Sequence, residues 1–476
     1  MNGRQDPLWT PAELVEAARG VLAGAPAEQL SGVSIDSRTV RPGEVFLALS
    51  GPNFDGHDYV GAALAAGAGL AVVARRPDGL DAAAPLVRVD DTQLALERLG
   101  AHARARTTAR IAAVTGSVGK TSTKEALAHC LAAQGQTHWA TGSFNNQWGV
   151  PLSLAHMPRS TDYGVFELGM NHAGEISALT AQVRPEVAII TTIEPAHLEY
   201  FSGIEAIADA KAEIFEGMAP GAVAILNRDN AMFDRLAAAA RARELKIVSF
   251  GERDDADVRL VQAGLDADAS EVKASFFGRP LNYRLSVPGK HLVLNSLAVL
   301  AAVEAVGADL RRAGDALGSL AGLAGRGKRL TIAVPDGEAT LIDESYNASP
   351  AAMRAAFAVL AAQRPAGQGR RIAVVGDMRE LGEAGAELHR DLAAPLAASG
   401  VDLVFACGPL MRNLFDALPA ALRGSYAATA AELAPIVRAS LRAGDIVTIK
   451  GSLGTRMADI VKPLTSGISK SQTVSC

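Results

Sequence analysis

Arg110-Ile111-Ala112-Ala113-Val114-Thr115-Gly116-Ser117-Val118-Gly119-Lys120-Thr121-Ser122 is a short apolar run, then a glycine turn, then a Lys-Thr pair opening a helix-forming segment. A strand that ends in such a turn aims several backbone N–H groups into one hollow. The positive end of the following helix faces the same hollow. Phosphate oxygens fit there, Lys120 supplies a point charge, and the Thr121 hydroxyl is a magnesium ligand. The stretch therefore predicts an α/β fold and chemistry driven by a nucleoside triphosphate. The general pattern for such loops is G-x-x-x-x-G-K-[ST]. Here Val114 stands at its first position, and the turn is the tighter Thr115-Gly116-Ser117-Val118-Gly119. A chance Gly-Lys-Thr at an ordinary strand–helix turn is the competing reading. The strand before it and the helix-forming Lys124-Glu125-Ala126-Leu127-Ala128 after it weigh against chance.

Alternating strands and helices extend from this stretch in both directions. Upstream, 33–36, 45–49, 70–73 and 86–89 read as strands, with helical spacing over 60–66 and 93–104. The polar, basic segment 104–110 marks a boundary, so residues 1–107 form a first unit. Downstream, 111–114, 165–166, 187–190, 223–226 and 247–250 are near-continuous apolar runs separated by helical segments. That is the pattern of a parallel sheet covered on both faces. Alternating stretches at 272–277 and 281–287 suggest an antiparallel edge, and a helix over 292–306 follows. Gly322-Leu323-Ala324-Gly325-Arg326-Gly327-Lys328-Arg329 reads as a hinge, which closes a second unit of residues 108–323. In the third unit, 324–476, strands at 341–343, 372–375, 403–405 and 446–449 alternate with helices at 351–362, 386–398 and 430–441. This is a small doubly wound fold.

A chain of 476 residues, 49% hydrophobic, can build three such cores. Its formal charge of −5 and lack of a long basic run argue against nucleic acid as a partner. Cys130, Cys407 and Cys476 are far apart with no C-x-x-C, as expected of reduced thiols in the cytoplasm. Cys130, in an Ala-rich helix, reads as a small buried hydrophobe. No apolar run approaches membrane-spanning length, and no signal peptide is expected.

Several polar groups stand where strands end. Glu167 closes Val165-Phe166-Glu167 and either completes a magnesium site or pairs with a cation. His197 follows the 187–190 run and is a ligand, a proton carrier or a hydrogen-bonded loop residue. Lys211 reads as a helix-surface lysine paired with Asp209 or Glu213. Asn145-Asn146 either shape a turn or orient a phosphate or substrate. Asp36-Ser37-Arg38, with Asp55-Gly56-His57 near it, is a polar loop or a second anion site with Arg38 on a phosphate. In the third unit, 342–350 and 376–383 leave two strands; each is a helix cap and turn or one edge of a ligand site.

Taken together these residues resemble the Mur ligases, ATP-dependent amide-forming enzymes of peptidoglycan assembly. The carriers are Thr115–Thr121, the Asn145-Asn146 loop, Glu167, His197, Lys211, Lys290-His291-Leu292-Val293-Leu294-Asn295, Arg326 and the Asp343 loop. The tight phosphate loop is the form this family uses. Within it, Asp343-Glu344-Ser345-Tyr346-Asn347-Ala348-Ser349-Pro350 and Gly376-Asp377-Met378-Arg379-Glu380-Leu381-Gly382 are similar to the branch that adds D-alanyl-D-alanine. Asp-Asn-Pro-Arg, which would point to the diaminopimelate- or lysine-adding branch, does not occur in the third unit. Glu344 stands where an aspartate is usual.

The resemblance implies a three-domain α/β architecture: a small UDP-substrate domain, a central domain for ATP and magnesium, and a C-terminal Rossmann-like domain that closes over ATP and brings the amine. It implies Lys120, Glu167, His197 and Lys211 as catalytic residues. It gives ATP contacts at Thr115, Gly116, Ser117, Val118, Gly119, Lys120, Thr121, Asn295, Arg326, Asp343 and Asn347. It gives substrate contacts at Asp36, Ser37, Arg38, Asn145 and Asn146. Two Mg2+ are implied, on Thr121, Glu167, His197 and a carbamylated Lys211. The implied substrates are UDP-N-acetylmuramoyl-tripeptide and D-alanyl-D-alanine, handled by a cytoplasmic monomer that does not insert into membranes. A related amide ligase, such as a folate polyglutamate synthase, and a nucleotide-switched binding protein are the competing readings.

Overall fold

The computed structural model describes residues 7–140, 142–196 and 198–466. Among them the strands sort into three main sheets that follow one another along the chain. The first runs Val21–Ala23, Leu86–Arg88, Leu70–Val73, Glu44–Leu47, Gly32–Ser34. Only its Val21–Ala23 edge is antiparallel.

The central sheet has nine strands. Its order is Arg279–Leu285, Ser270–Phe276, Val258–Leu265, Lys246–Gly251, Val223–Asn227, Val187–Ile190, Arg110–Thr115, Tyr163–Glu167, Thr137–Trp139. The Ser270–Phe276 and Arg279–Leu285 edge is antiparallel and the rest parallel, as the alternating stretches indicate. Both faces of Arg110–Thr115 are buried: Ala112 and Val114 join one core, Ile111 and Ala113 the other. That double burial is why the strand reads as an unbroken apolar run.

The third sheet runs Lys328–Val334, Gly337–Glu344, Ile446–Lys450, Arg371–Gly376, Leu403–Cys407, Arg423–Ala427. Its core strands are parallel and doubly wound, but Lys328–Val334 adds an antiparallel hairpin edge. The hairpin escapes sequence reading because Lys328 and Arg329 open it with charge, and the strand lies only partly buried. The helix expected over 386–398 is two helices, Gly385–Arg390 and Ala393–Ala398. Pro395 explains the break. It has no N–H for the carbonyl of Asp391, and its ring crowds that carbonyl. Cys130 and Cys407 are both buried free thiols; Cys476 lies outside the described residues.

The first and central units are packed as one body. Helix Thr92–Ala105 lies on helix Gly149–Ala155, and Leu152 and Ala155 enter the first unit's core. A Cβ on Gly100 would meet Pro151 backbone atoms at 3.0 Å, so glycine permits this approach. Trp9 Nε1 donates to Ala155 O across the joint at 2.9 Å.

The third unit is attached differently. Ser286 Oγ holds Leu320 O at 2.6 Å, which fixes the chain to the central unit up to that point. Asp343 then takes over. Its Oδ2 accepts from Gly325 N at 2.8 Å, and its carbonyl accepts from Gly327 N at 2.8 Å. The segment belonging to neither body shrinks from the expected glycine-rich stretch to Ala321-Gly322, and Arg326 belongs mechanically to the third unit.

His138, in the edge strand Thr137–Trp139, lies with Nε2 2.8 Å from Ser153 O. Burial lowers its pKa from 6.5 to about 4. Below about pH 6.5 the unfolded chain binds a proton that the folded chain refuses until about pH 4. Stability therefore falls as pH drops through that window, by up to about 3 kcal/mol. Denaturant titrations should show the loss, and His138→Gln should shrink it. An unchanged pH slope in that variant removes His138 as the cause.

Candidate active site

The loop after Arg110–Thr115 emerges at the switch point of the central sheet. Val187–Ile190 lies on one side of this strand and Tyr163–Glu167 on the other, so the connections diverge and leave a crevice at the strands' carboxyl ends. Gly116 has φ +143°, and a Cβ there would lie 2.0 Å from Thr191 Oγ1. Gly119 has φ +87°, and its Cβ would lie 2.6 Å from Asn295 Nδ2. Only glycine lets the loop turn this tightly against its neighbours. Helix Lys120–Ala132 begins at Gly119 with no side-chain cap. Its first amides point to the crevice as an anion site. Lys120 Nζ folds back to Gly116 O at 2.8 Å. Burial lowers its pKa; the charge of Glu167 opposes that shift and the charge of Arg326 adds to it.

Glu167 is 4% exposed at its strand end. Its Oε2 accepts from Thr121 Oγ1 at 2.7 Å and its Oε1 from Asn145 Nδ2 at 2.7 Å. Among the described residues it makes no ion pair, so its grip comes from a hydroxyl and an amide. The two asparagines therefore differ in role. Asn145 holds Glu167, whereas Asn146 Oδ1 accepts from the Trp148 and Gly149 amides at 3.2 and 2.9 Å, which is turn chemistry.

Lys211 is not the surface lysine that its neighbours suggest. It is 1% exposed. Asp209 pairs instead with Arg235, and Glu213 accepts from the amides of Gly174 and Ser177. The signal was present in the helical period. Ile207, Ala208 and Lys211 share the buried stripe of helix Ile204–Ala212. Burial drives the Lys211 pKa well below its usual value, and the charge of Lys120 pushes it the same way. His197 lies outside the described residues.

The crevice widens into a cleft of about 600 Å3 between the central and third units. Asn295 enters from helix Lys290–Ala305. Arg326 lies over the Tyr346 ring at 4.4 Å and donates to Ser143 Oγ at 3.2 Å. Asn347 lines the cleft too, although its Oδ1 accepts from the next amide at 2.8 Å. Asp343 does not reach the cleft surface; its carboxylate is used by Gly325 N, Ser345 N and Ser345 Oγ. Thr115 is fully buried behind the loop.

Lys450 and Ser143 also line the cleft, and no local pattern singles either out. Lys450 Nζ pairs with Glu344 Oε2 at 2.9 Å, across neighbouring parallel strands where these two residues are in register. The unusual glutamate at 344 thus has a partner.

Asp36, Ser37 and Arg38 lie in the first unit and do not line this cleft. Arg38 grips Asp36 through Nε at 2.9 Å and Nη2 at 2.7 Å, and this pairing lowers the Asp36 pKa to about 2. Asp55 accepts from His57, Ser50 and Arg75, a closed polar network. Among the described residues no three His, Cys, Asp or Glu side chains gather as a metal cluster. The oxygen donors that face one another are Thr121 and Glu167, a hard pair suited to magnesium.

A triphosphate-using α/β enzyme is the class that this loop and cleft define. Three family descriptions match in succession: "Mur ligase family, catalytic domain" at residues 29–105, "Mur ligase middle domain" at 114–303, and "Mur ligase, glutamate ligase domain" at 328–453. The UDP-N-acetylmuramoyl-tripeptide–D-alanyl-D-alanine ligase of Escherichia coli is 34% identical over 96% of this chain and 98% of its own length. That of Bacillus subtilis is 31% identical over 96% and 98%. The crystal structure of MurF from Acinetobacter baumannii superposes with a TM-score of 0.83 at 32% identity, covering 96% of this chain and 99% of that one. MurF from Thermotoga maritima, solved with ADP, gives 0.76 at 26% identity, covering 91% and 97%. The chain belongs to the Mur ligase family and is an ATP-dependent amide ligase. A folylpolyglutamate synthase from Mycobacterium tuberculosis shares the fold at 18% identity and a TM-score of 0.58. Among the described residues no helix is long and apolar enough to cross a membrane.

Replacing Lys120 by alanine should lower turnover by about a hundredfold or more, the usual size of a single electrostatic deletion. A near-normal steady-state rate in that variant would mean that the loop does not hold the reacting phosphates.

Proposed function

We propose that this chain joins D-alanyl-D-alanine to UDP-N-acetylmuramoyl-tripeptide with conversion of ATP to ADP and phosphate. Relatives aligned over nearly the whole chain are named for this reaction. The observation that carries the reading is the convergence of the phosphate loop, Glu167, Arg326 and the third unit's Glu344–Asn347 loop on one cleft.

A carboxylate does not react with an amine near neutral pH, because oxide is a poor leaving group. In the first step a terminal carboxylate oxygen of the tripeptide attacks the γ-phosphorus. The bond from that phosphorus to the β–γ bridging oxygen breaks, and ADP departs. In the second step the dipeptide's amine nitrogen attacks the acyl carbon. The carbon–oxygen bond to phosphate breaks, the nitrogen loses a proton, and an amide remains. Negative charge concentrates on the phosphoryl oxygens in both steps, so fixed positive groups are the main requirement. The 116–120 amides and Lys120 meet it from the central unit, and Arg326 meets it from the third. Ser117, Val118, Gly119 and Thr121 complete the phosphate cradle, with Asn295 and Asn347 placed for the rest of the nucleotide.

Thr121 and Glu167 would hold Mg2+, together with His197. A second ion would be shared with Lys211 as its carbamate. Magnesium, when bound, neutralises charge between the carboxylate and phosphate oxygens. The burial of Lys211, which drives its pKa well below the usual lysine value, supports the carbamate, since only an unprotonated amine attacks carbon dioxide, with release of a proton.

Residues 1–107 take the UDP end of the donor in this reading, 108–323 take ATP, and 324–476 bring the dipeptide. Asp36, Ser37 and Arg38 serve the donor, which requires Arg38 to exchange Asp36 for a phosphate. Asn145 would meet the donor beside Glu167, while Asn146 would serve it only by shaping the turn. Closure turns on Ala321-Gly322. A cytoplasmic monomer completes the reading; the unpaired thiols of Cys130 and Cys407 support reducing surroundings.

One reaction tests this. Protein, ATP, UDP-N-acetylmuramoyl-tripeptide and D-alanyl-D-alanine should yield the pentapeptide by mass spectrometry, with one phosphate per product. ATP consumption with no lengthened peptide overturns the assignment; a product made only with glutamate and a folate would transfer it to the folate branch. Lys211→Ala should remain folded and lose activity. Protein equilibrated with 13C-labelled carbon dioxide should show one carbamate resonance that this variant lacks. Full activity in Lys211→Ala would end its metal role.

A further inference from the structure

Lys124 lies one turn beyond Lys120 on helix Lys120–Ala132 and is completely buried. It does not line the cleft, so it cannot touch substrate. Its Nζ donates to Ala140 O and, at 2.8 Å, to Gly142 O. It also pairs with Glu125 Oε1 at 2.7 Å. The other Glu125 oxygen accepts from Trp139 Nε1 at 3.0 Å. A lysine ammonium has three N–H groups, and these three acceptors use all of them. The side chain ties the phosphate-loop helix to the stem of the 142–147 segment.

That segment reaches the reacting centre twice. Ser143 Oγ accepts from Arg326 at 3.2 Å and lies 3.5 Å from Thr121 Oγ1. Asn145 donates to Glu167 Oε1 at 2.7 Å, while its own carbonyl accepts from Gly169 N at 2.8 Å. The second Glu167 oxygen is held by Thr121, on the same helix as Lys124. The Glu167 carboxylate is therefore gripped from two sides, by Thr121 on the helix and by Asn145 on the segment. Lys124 joins the two at their base.

We propose that Lys124 is a positioning residue, which fixes Asn145 and through it the orientation of Glu167 toward a divalent cation. This rests on the metal role proposed above for Glu167. Removing Lys124 strands Glu125 and two carbonyls and so costs stability in either case. What marks a tether for Asn145 is a local effect on the 142–146 segment and on the metal, beyond that loss.

Lys124→Met keeps most of the length and removes every donor. Amide hydrogen exchange across 142–146 should then quicken about tenfold or more, while the strand Arg110–Thr115 stays protected. Retention of Mn2+ with ADP, read as free-ion signal by electron paramagnetic resonance, should weaken by about 10- to 100-fold. Asn145→Ala should weaken it similarly, and the double variant should lose little more than either single one. Glu125→Gln keeps both carbonyl contacts of Lys124. It should lower the melting temperature and leave Mn2+ retention within about twofold. Should Lys124→Met fail to fold, Lys124→Gln, which retains an amide donor, carries the same measurements.

A folded Lys124→Met protein with wild-type exchange across 142–146 and wild-type Mn2+ retention overturns the proposal. So does a Glu125→Gln protein that loses Mn2+ as badly as Lys124→Met, because the effect would then be core stability. If wild-type protein retains no Mn2+, the metal reading of Glu167 is what fails, and the exchange measurement still decides whether Lys124 tethers the segment.

Discussion

The buried carboxylate of Glu167 is the constraint around which the centre is built. An anion at 4% exposure whose hydrogen bonds among the described residues come from a neutral hydroxyl and a neutral amide is poorly compensated by them. The compensation is electrostatic and comes from Lys120, whose own pKa registers the attraction. Lys120 is in turn held by Gly116 O, at the point where the loop can turn only because residues 116 and 119 lack a Cβ. Moving the strand end, the glycine turn or the helix start by an ångström would disturb all three.

The three units are joined in two different ways. Gly100 against Pro151 and Trp9 on Ala155 fuse the first and central units into one packed body. The third unit is joined through Ala321-Gly322 between two fixed anchors, Ser286 on Leu320 and Asp343 on Gly325. Asp343 carries Arg326 with the third unit, and Arg326 reaches back to Ser143 on the central one. Arg326, which lines the cleft with the glycine loop, thus comes from the third unit. Its attachment to that unit runs through a buried aspartate that does not line the cleft.

Much of this was legible in the residues. Double burial imposed continuous apolar runs on the central strands, and the glycine turn with Lys120-Thr121 marked a loop that lines the cleft. What stayed hidden was hidden for physical reasons. Lys328–Val334 is an edge strand with one wet face, so it never had to look apolar. Pro395 split a helix that its neighbours' period favoured. Lys211 resembled any lysine flanked by acids, and only its alignment with Ile207 and Ala208 placed it inside. Asn145 and Asn146 are adjacent and identical, yet one supports a carboxylate and the other a turn. That difference arises from the backbone path between Gly142 and Gly149, on which composition is silent.

The charge balance of the cleft gives the sharper view of Lys211. Burial lowers the Lys120 pKa first; the charge of Arg326 adds to that shift and the charge of Glu167 opposes it. An ammonium at Lys211, fully buried and within the field of Lys120, is disfavoured by burial first and by that repulsion second, and the charge of Glu213 only partly opposes them. Its pKa is accordingly driven well below the usual lysine value, which favours the neutral amine. A neutral amine contributes no charge, but it is the form that adds carbon dioxide, and the product is an anion. In the proposed reading, the burial that makes this lysine a poor cation favours its carbamate, an anion that would share a magnesium ion. Burial beside Lys120 thus favours the form of the residue that the proposed metal role requires.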